Sequence, residues 1–188
     1  AEQLIALGME PEIRTRLGYH TLVAVGEVEG ERVQVDAAFQ GYREQSWVLM
    51  QSRLRRPLDL GLHVRRTMLS LGTGIAVDFP GFTDEHHVAA DEPSRARELL
   101  TPEICKKIVA VADLGGDIDL DDGRAEVRQT MGFNELRPTL FALTRITSAL
   151  TGHYATLLPA GSLRAAVEAW REYAAREGLR FQLSPLAM

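Results

Sequence analysis

The stretch Phe82–Met131, FTDEHHVAADEPSRARELLTPEICKKIVAVADLGGDIDLDDGRAEVRQTM, carries strand, helix and hairpin signals without a gap. Its opening, Phe82 to Ala90, is polar at first and ends in a small β-compatible run, which predicts a strand leaving a polar turn. Pro93 locks φ near the helical value and donates no hydrogen bond. It therefore predicts a helix over Ser94–Leu100 with Asp91 as its cap. Thr101-Pro102 repeats that start signal and opens a second helix to about Leu114. Ile104, Ile108, Val111 and Ala112 share one face of it, while Lys106, Lys107 and Asp113 point elsewhere. Gly115-Gly116 ends this helix. Asp117 to Val127 then alternates, with Ile118 and Leu120 on one side and aspartates on the other, and Asp122-Gly123 marks a two-residue hairpin turn to Ala125 and Val127.

Working outward, Ala1–Leu7 has a helical pattern ended by Gly8, and Met9-Glu10-Pro11 breaks into extended chain. Thr21–Val28 and Arg32–Ala37 read as strands of a hairpin around Glu29-Gly30-Glu31. Further strands are expected at Trp47–Leu54 and, after Pro57, at Leu58–Val64, with the short connection favouring antiparallel neighbours. Met68–Gly81 reads as a glycine-rich loop with one strand at Ile75–Val77. Beyond the central unit, Asn134 starts a helix closed by Gly152, with Leu136, Leu140, Leu143 and Leu150 on one stripe. Pro159–Arg176 is a second helix carrying Leu163, Val167, Trp170 and Ala174, and Leu179–Leu183 alternates as a last strand. Strands gather early and helices late. This predicts an α+β fold: an antiparallel sheet built mainly from the N-terminal half and the 117–131 hairpin, with helices packed on one face.

With 188 residues, 45% hydrophobic and 25% charged, the chain has the composition of one globular domain, residues 1–188. A formal charge of −5 argues against general nucleic-acid binding, which needs a basic face. The single Cys105 makes no intrachain disulfide and reads as a small buried filler. No apolar run approaches the ~20 residues needed to span a bilayer, so a soluble, cytoplasmic protein is expected, with the soluble domain of a membrane-tethered protein as the alternative. The chain opens on Ala1 rather than methionine, and Tyr173–Phe181 echoes Gln3–Pro11 in form; both fit a segment of a longer or tandem protein.

In Phe82, Val88, Asp91, Arg95, Ala96, Leu99, Leu100, Thr101, Pro102 and the Asp121-Asp122-Gly123 turn, the sequence resembles an uncharacterised family of bacterial domains. In that family a strand and a short helix lead into a Leu-Leu-Thr-Pro helix and an acidic hairpin. The upstream hairpin, Gly26–Gly30 with Val33 and Val35, is similar in arrangement to the same proteins. The resemblance spans Thr21 to Leu150 loosely. It implies the fold and, for some members, tethering to a membrane; it implies no activity.

Several constellations are weighed against ordinary structural roles. Asp117, Asp119 and Asp121 invite a calcium reading, but an EF-hand needs glycine sixth and glutamate twelfth, where this chain has Asp122 and Arg128. They read instead as the wet side of a strand. Gly72-Thr73-Gly74 lacks the rest of a phosphate loop, and Ser70 lacks a nucleophile elbow. Asp84, Glu85, His86 and His87 form the richest polar cluster. Adjacent strand residues point to opposite faces, so His86 and His87 do not reach one ion without a bend. Arg53, Arg55, Arg56, Arg65 and Arg66 make the dense basic patch, expected on two adjacent strands with Glu44 and Asp59 nearby. The function that follows is a non-enzymatic protein-interaction or scaffolding module, binding a protein partner or another copy of itself through that patch and Trp47. No cofactor is implied, and no metal, with a metal site at Asp84, His86 and His87 as the alternative. The alternative is a hydrolase or small-ligand-binding protein with a cleft at Asp84, His86 and His87; a lipid or small-molecule carrier is a third reading.

Overall fold

A computed structural model of the chain describes residues 2–16, 19–39, 47–67, 74–130, 136–157 and 163–178. A single helical turn, α1 (Glu2–Ile5), precedes β1 (Glu10–Arg16), β2 (Tyr19–Val28), β3 (Glu31–Phe39), β4 (Trp47–Arg53) and β5 (His63–Arg66). The central stretch supplies α2 (Phe82–Glu85), β6 (His86–Ala89), α3 (Pro93–Leu99), α4 (Pro102–Asp113), β7 (Asp117–Asp121) and β8 (Arg124–Thr130). Two helices close the described chain, α5 (Leu136–Leu157) and α6 (Leu163–Arg176). The eight strands form one antiparallel sheet in the order β1-β2-β3-β4-β8-β7-β5-β6. This is the α+β architecture expected from the order of elements.

Strand alternation decides which face is covered. Leu22, Ala24, Val33, Val35, Ala37, Val48, Met50, Val64, Val88, Ile118, Leu120, Ala125 and Val127 all turn inward and are buried. Against them pack Leu99 and Leu100, then Ile104, Ile108 and Val111 of α4, and Leu136, Leu140, Leu143, Ile146 and Leu150 of α5. Thr101 caps α4 as its sequence predicts, its hydroxyl accepting the Ile104 N–H at 3.4 Å. The β2–β3 turn is Glu29-Gly30 with φ of 52° and 76°, the primed geometry that follows strand twist.

Several expectations are corrected. Phe82–Glu85 is a helical turn and only His86–Ala89 is strand, because Phe82 is buried as the plug beneath that turn. Asp91 does not cap α3, whose N-cap is Glu92. Gly152 does not end α5; the helix continues to Leu157, with Tyr154 buried and His153 Nε2 3.0 Å from the Glu98 carbonyl at the end of α3. The α6 helix forms as expected; on it Ala174 is buried and Trp170 is 61% exposed, edge-on to Tyr173 at 5.9 Å. The expected starts at Asn134 and Pro159 and the strand Leu179–Leu183 lie outside the described residues, as do Ser70, Gly72 and Thr73. Ile75–Val77 is not a strand, although the Ile75 N–H donates to the Val88 carbonyl at 2.8 Å.

The largest correction concerns Leu58–Val64. β5 starts only at His63, and it does not lie beside β4; the β7–β8 hairpin is inserted between them. Residues 54–62 therefore cross the end of that hairpin. The Asp122 carboxylate accepts the Leu60, Gly61 and Leu62 N–H groups at 3.0, 2.8 and 3.0 Å. The Asp122 and Gly123 carbonyls accept the Leu58 and Leu54 N–H groups, each at 2.9 Å. Asp59 (φ 50°) and Gly61 (φ 63°) supply the curvature that points three successive N–H groups inward. At Gly61 a Cβ would overlap the Asp91 carboxylate.

Asp122→Ala is expected to cost about 3 kcal/mol in urea unfolding, since hydrogen bonds to a charged acceptor are worth ~1.5–3 kcal/mol each and are not additive. Asp122→Asn, which keeps one accepting oxygen, should lose less. Equal stability of Asp122→Ala and the parent would remove this carboxylate as the clamp on the crossover.

Candidate functional site: the helix-free face of the sheet

Among the described residues no helix packs on the second face of the sheet, and cross-strand register arranges its side chains in rows. One row runs Glu12, Val23, Asp36, Leu49, Arg128, Asp117; the next runs Glu10, Val25, Gln34, Gln51, Glu126, Asp119, Arg65, His87. Glu126 and Asp119 stand side by side, a repulsive placement that neighbours relieve. Arg65 Nε lies 2.9 Å from Asp119, Gln51 Nε2 donates to Glu126 at 2.9 Å, and Arg124 Nη2 is 3.5 Å from Glu126.

Arg128 is opposite Asp117 in register but makes no ion pair with it. Its guanidinium sits over the Trp47 ring, 5.8 Å from the centroid. Trp47 is 39% exposed, and Val25 also shows its side chain to solvent. Beside this pair, at the ends of β5, β7 and β8, is a depression of about 500 Å³ lined by Arg65, Arg66, Asp117, Ile118, Asp119, Glu126 and Arg128. Its rim has both signs of charge. Among the described residues Asp117 has no ion-pair partner, so the depression offers one unneutralised carboxylate and the stacked Arg128 cation.

The five sequence-predicted arginines do not meet as one basic surface, because β4 and β5 are not neighbours. Arg53 ends β4 opposite Arg124. Arg55 reaches the Gly30 carbonyl and Glu31, both at 3.1 Å, pinning the β2–β3 turn to the crossover; Glu31 is 1% exposed. Arg56 pairs with Glu172 of α6. Arg65 and Arg66 enter the depression, Arg66 lying 3.9 Å from Glu85. Arg128, which joins them, was not among the expected residues. The β8 alternation of Arg124, Glu126 and Arg128 is visible in the sequence, but the pairing that sets Arg128 beside Trp47 is not.

Asp84, His86 and His87 are not brought together. His86 is 1% exposed and stacks on Phe82 at 4.5 Å with rings 10° from parallel, while Asp84 and His87 are exposed and His87 lies on the opposite face of β6. His86 Nδ1 is 3.3 Å from the Phe82 carbonyl and must donate there, so Nε2 is a buried acceptor without a partner. Burial depresses the His86 pKa, opposed by the Phe82 carbonyl. Asp121 is also structural: its carboxylate accepts the Gly123 and Arg124 N–H groups at 2.8 and 3.0 Å. Cys105 is buried, its thiol pushed up to about 11 by desolvation. Among the described residues, no group of three or more His, Cys, Asp or Glu is placed to hold a metal ion.

A solved structure shares this architecture at the level of fold. The crystal structure of the mycobacterial trehalose monomycolate transport factor A, TtfA, superposes with a TM-score of 0.52 at 12% identity, over 86% of this chain and 95% of that one. At that identity the likeness shows the fold alone. No protein-family model matches the sequence, and no curated protein matches it. Among the described residues no helix is long and apolar enough to cross a membrane.

The buried, neutral His86 sets a pH dependence. The unfolded chain binds a proton at about pH 6.5 that the folded chain resists, so the stability contributed by neutral His86 is complete above that value. It is lost as pH falls from there through the depressed folded pKa. Melting temperature should therefore drop between pH 7 and 5, and His86→Phe should flatten that part of the profile. An unchanged slope in His86→Phe would rule out the imidazole as its source.

Proposed function

We propose that the chain is a non-enzymatic protein-interaction module whose helix-free sheet face receives a protein partner. The observation that carries this reading is the Trp47–Arg128 pair beside a depression edged by Arg65, Arg66, Asp117 and Asp119. An aromatic anchor stacked under a guanidinium, with charges of both signs around it, is the composition that protein interfaces favour. The partner it fits is a protein surface presenting an apolar residue to Trp47, an acidic group to Arg66 and Arg128, and a basic group to Asp117. Ion pairs at such a rim contribute mainly to orientation and association rate, so binding should weaken as salt rises.

Co-purification with the full-length chain as bait tests the reading. Trp47→Ala and Arg128→Glu should each reduce recovery of the specific partner at least tenfold, with melting temperature within a few degrees of the parent, because both residues sit on the solvent side of the sheet. Arg53→Glu, at the end of β4, should have a smaller effect. Undiminished recovery with both Trp47→Ala and Arg128→Glu would move the binding surface elsewhere.

A further inference from the structure

Strand β1 ends the sheet, and among the described residues nothing pairs with its outer side; the opposite edge, β6, receives the Ile75 N–H. The sequence of β1 is Glu10-Pro11-Glu12-Ile13-Arg14-Thr15-Arg16. Read about Ile13, it is antisymmetric in charge: acids occupy the two even positions before the isoleucine and arginines the two after it. Charges and proline on an edge ordinarily discourage a neighbouring strand. Here their order makes the edge complementary to itself.

We infer that two copies of this chain associate through an antiparallel β1–β1 pairing about a twofold axis at Ile13, which deepens the reading of the chain as an interaction module by naming a second copy as one of its partners. In that register Glu12 is aligned with Arg14 of the other copy and position 10 with position 16, each alignment occurring twice. Displacing the register by two residues in either direction sets Glu12 against Glu12 or Arg14 against Arg14. The charge order therefore selects one alignment.

The backbone is turned to suit it. The Arg14 carbonyl faces β2, where it accepts the Thr21 hydroxyl at 3.2 Å. Residues of an antiparallel strand alternate in the side to which they present their peptide groups, so Pro11, Ile13 and Thr15 present theirs outward. Pro11 then lacks only a donor that β2 does not use. Ile13 exchanges both bonds with its twin and each Thr15 N–H donates to Pro11 of the other copy, about four backbone hydrogen bonds in all. Ile13 is 65% exposed, on the side of the sheet that bears the helices but beyond their reach, and it would cover its own twin. Glu12 and Arg14 now pair along their own strand at 2.8 Å, both largely exposed, so exchanging that contact for the cross-strand one removes no buried ion pair.

Sedimentation velocity of the purified full chain alone, over about 5–500 µM at low salt, tests the inference without any other partner. The parent should show reversible monomer–dimer exchange. Glu12→Arg and Arg14→Glu should each weaken it by roughly tenfold or more, since each places like charges opposite one another twice. Mixing these two variants should restore association, because every facing pair is then again opposite in sign. Ile13→Pro, which removes the central donor, should abolish it, with circular dichroism showing that the fold persists. A parent that stays monomeric throughout, dimerisation indifferent to the charge reversals, or variants that fail to complement on mixing would each overturn the inference. None of these outcomes bears on co-purification through Trp47.

Discussion

The strand order is braced by one carboxylate that gathers three backbone donors. Between β4 and β5 the chain must pass the end of the β7–β8 hairpin, and in that passage Leu60, Gly61 and Leu62 have no strand to bond to. Buried N–H groups left unpaired cost ~1–3 kcal/mol each, so an unanchored crossover would oppose the insertion of the hairpin. Asp122 removes that opposition with two oxygens, and Asp91 N–H completes the loop from the other side by donating to the Leu60 carbonyl at 2.8 Å. The consequence reaches the outer face. With β8 and β7 inserted, Arg128 lies beside Trp47, and Arg65 lies beside Asp119; without them, β5 would run along β4.

A second polar system seats α5 on the sheet. Ser52 and Thr147 share a buried hydrogen bond of 2.8 Å, Gln129 Nε2 donates to the Leu114 carbonyl and to Thr139, and Thr144 donates to Glu29 at 3.2 Å. Leucine stripes alone fix which face a helix buries but tolerate sliding along it, because apolar contact is not directional. Hydrogen bonds linking Thr139, Thr144 and Thr147 to the sheet and its turn, at separate points along α5, oppose that sliding, since a shift of one turn breaks all three. The Glu29-Gly30 turn, held by Thr144 and by Arg55, is thereby tied both to the helix and to the crossover.

Local structure was legible wherever period and punctuation agreed: the Thr101-Pro102 start of α4, the Glu29-Gly30 and Asp122-Gly123 turns, and the alternation of Ile118 and Leu120 with aspartates. Two kinds of feature were not. Non-local strand order was hidden, because Asp122 reads as an ordinary turn residue and its role depends on donors about sixty positions away. That hid the site as well, splitting an arginine cluster that looks contiguous in sequence and bringing in Arg128 from β8. The other kind is a polar residue used as filler: His86 reads as a surface imidazole from its neighbours Glu85 and His87, and only the stacking on Phe82 shows it buried.

An antiparallel sheet with helices on one side must leave its other side to water or to a partner, and the residue types on that side say which is favoured. A solvated face needs only charge, and Glu126, Asp119 and Arg65 would serve. Trp47 does not serve solvation, since its exposed ring is a cost that Arg128 offsets in part by lying across it at 5.8 Å. Arg128 makes no ion pair with Asp117, its neighbour in register. An intramolecular optimum would pair the two charges and bury the ring; among the described residues neither is done, and that departure is what singles this face out as the proposed binding surface.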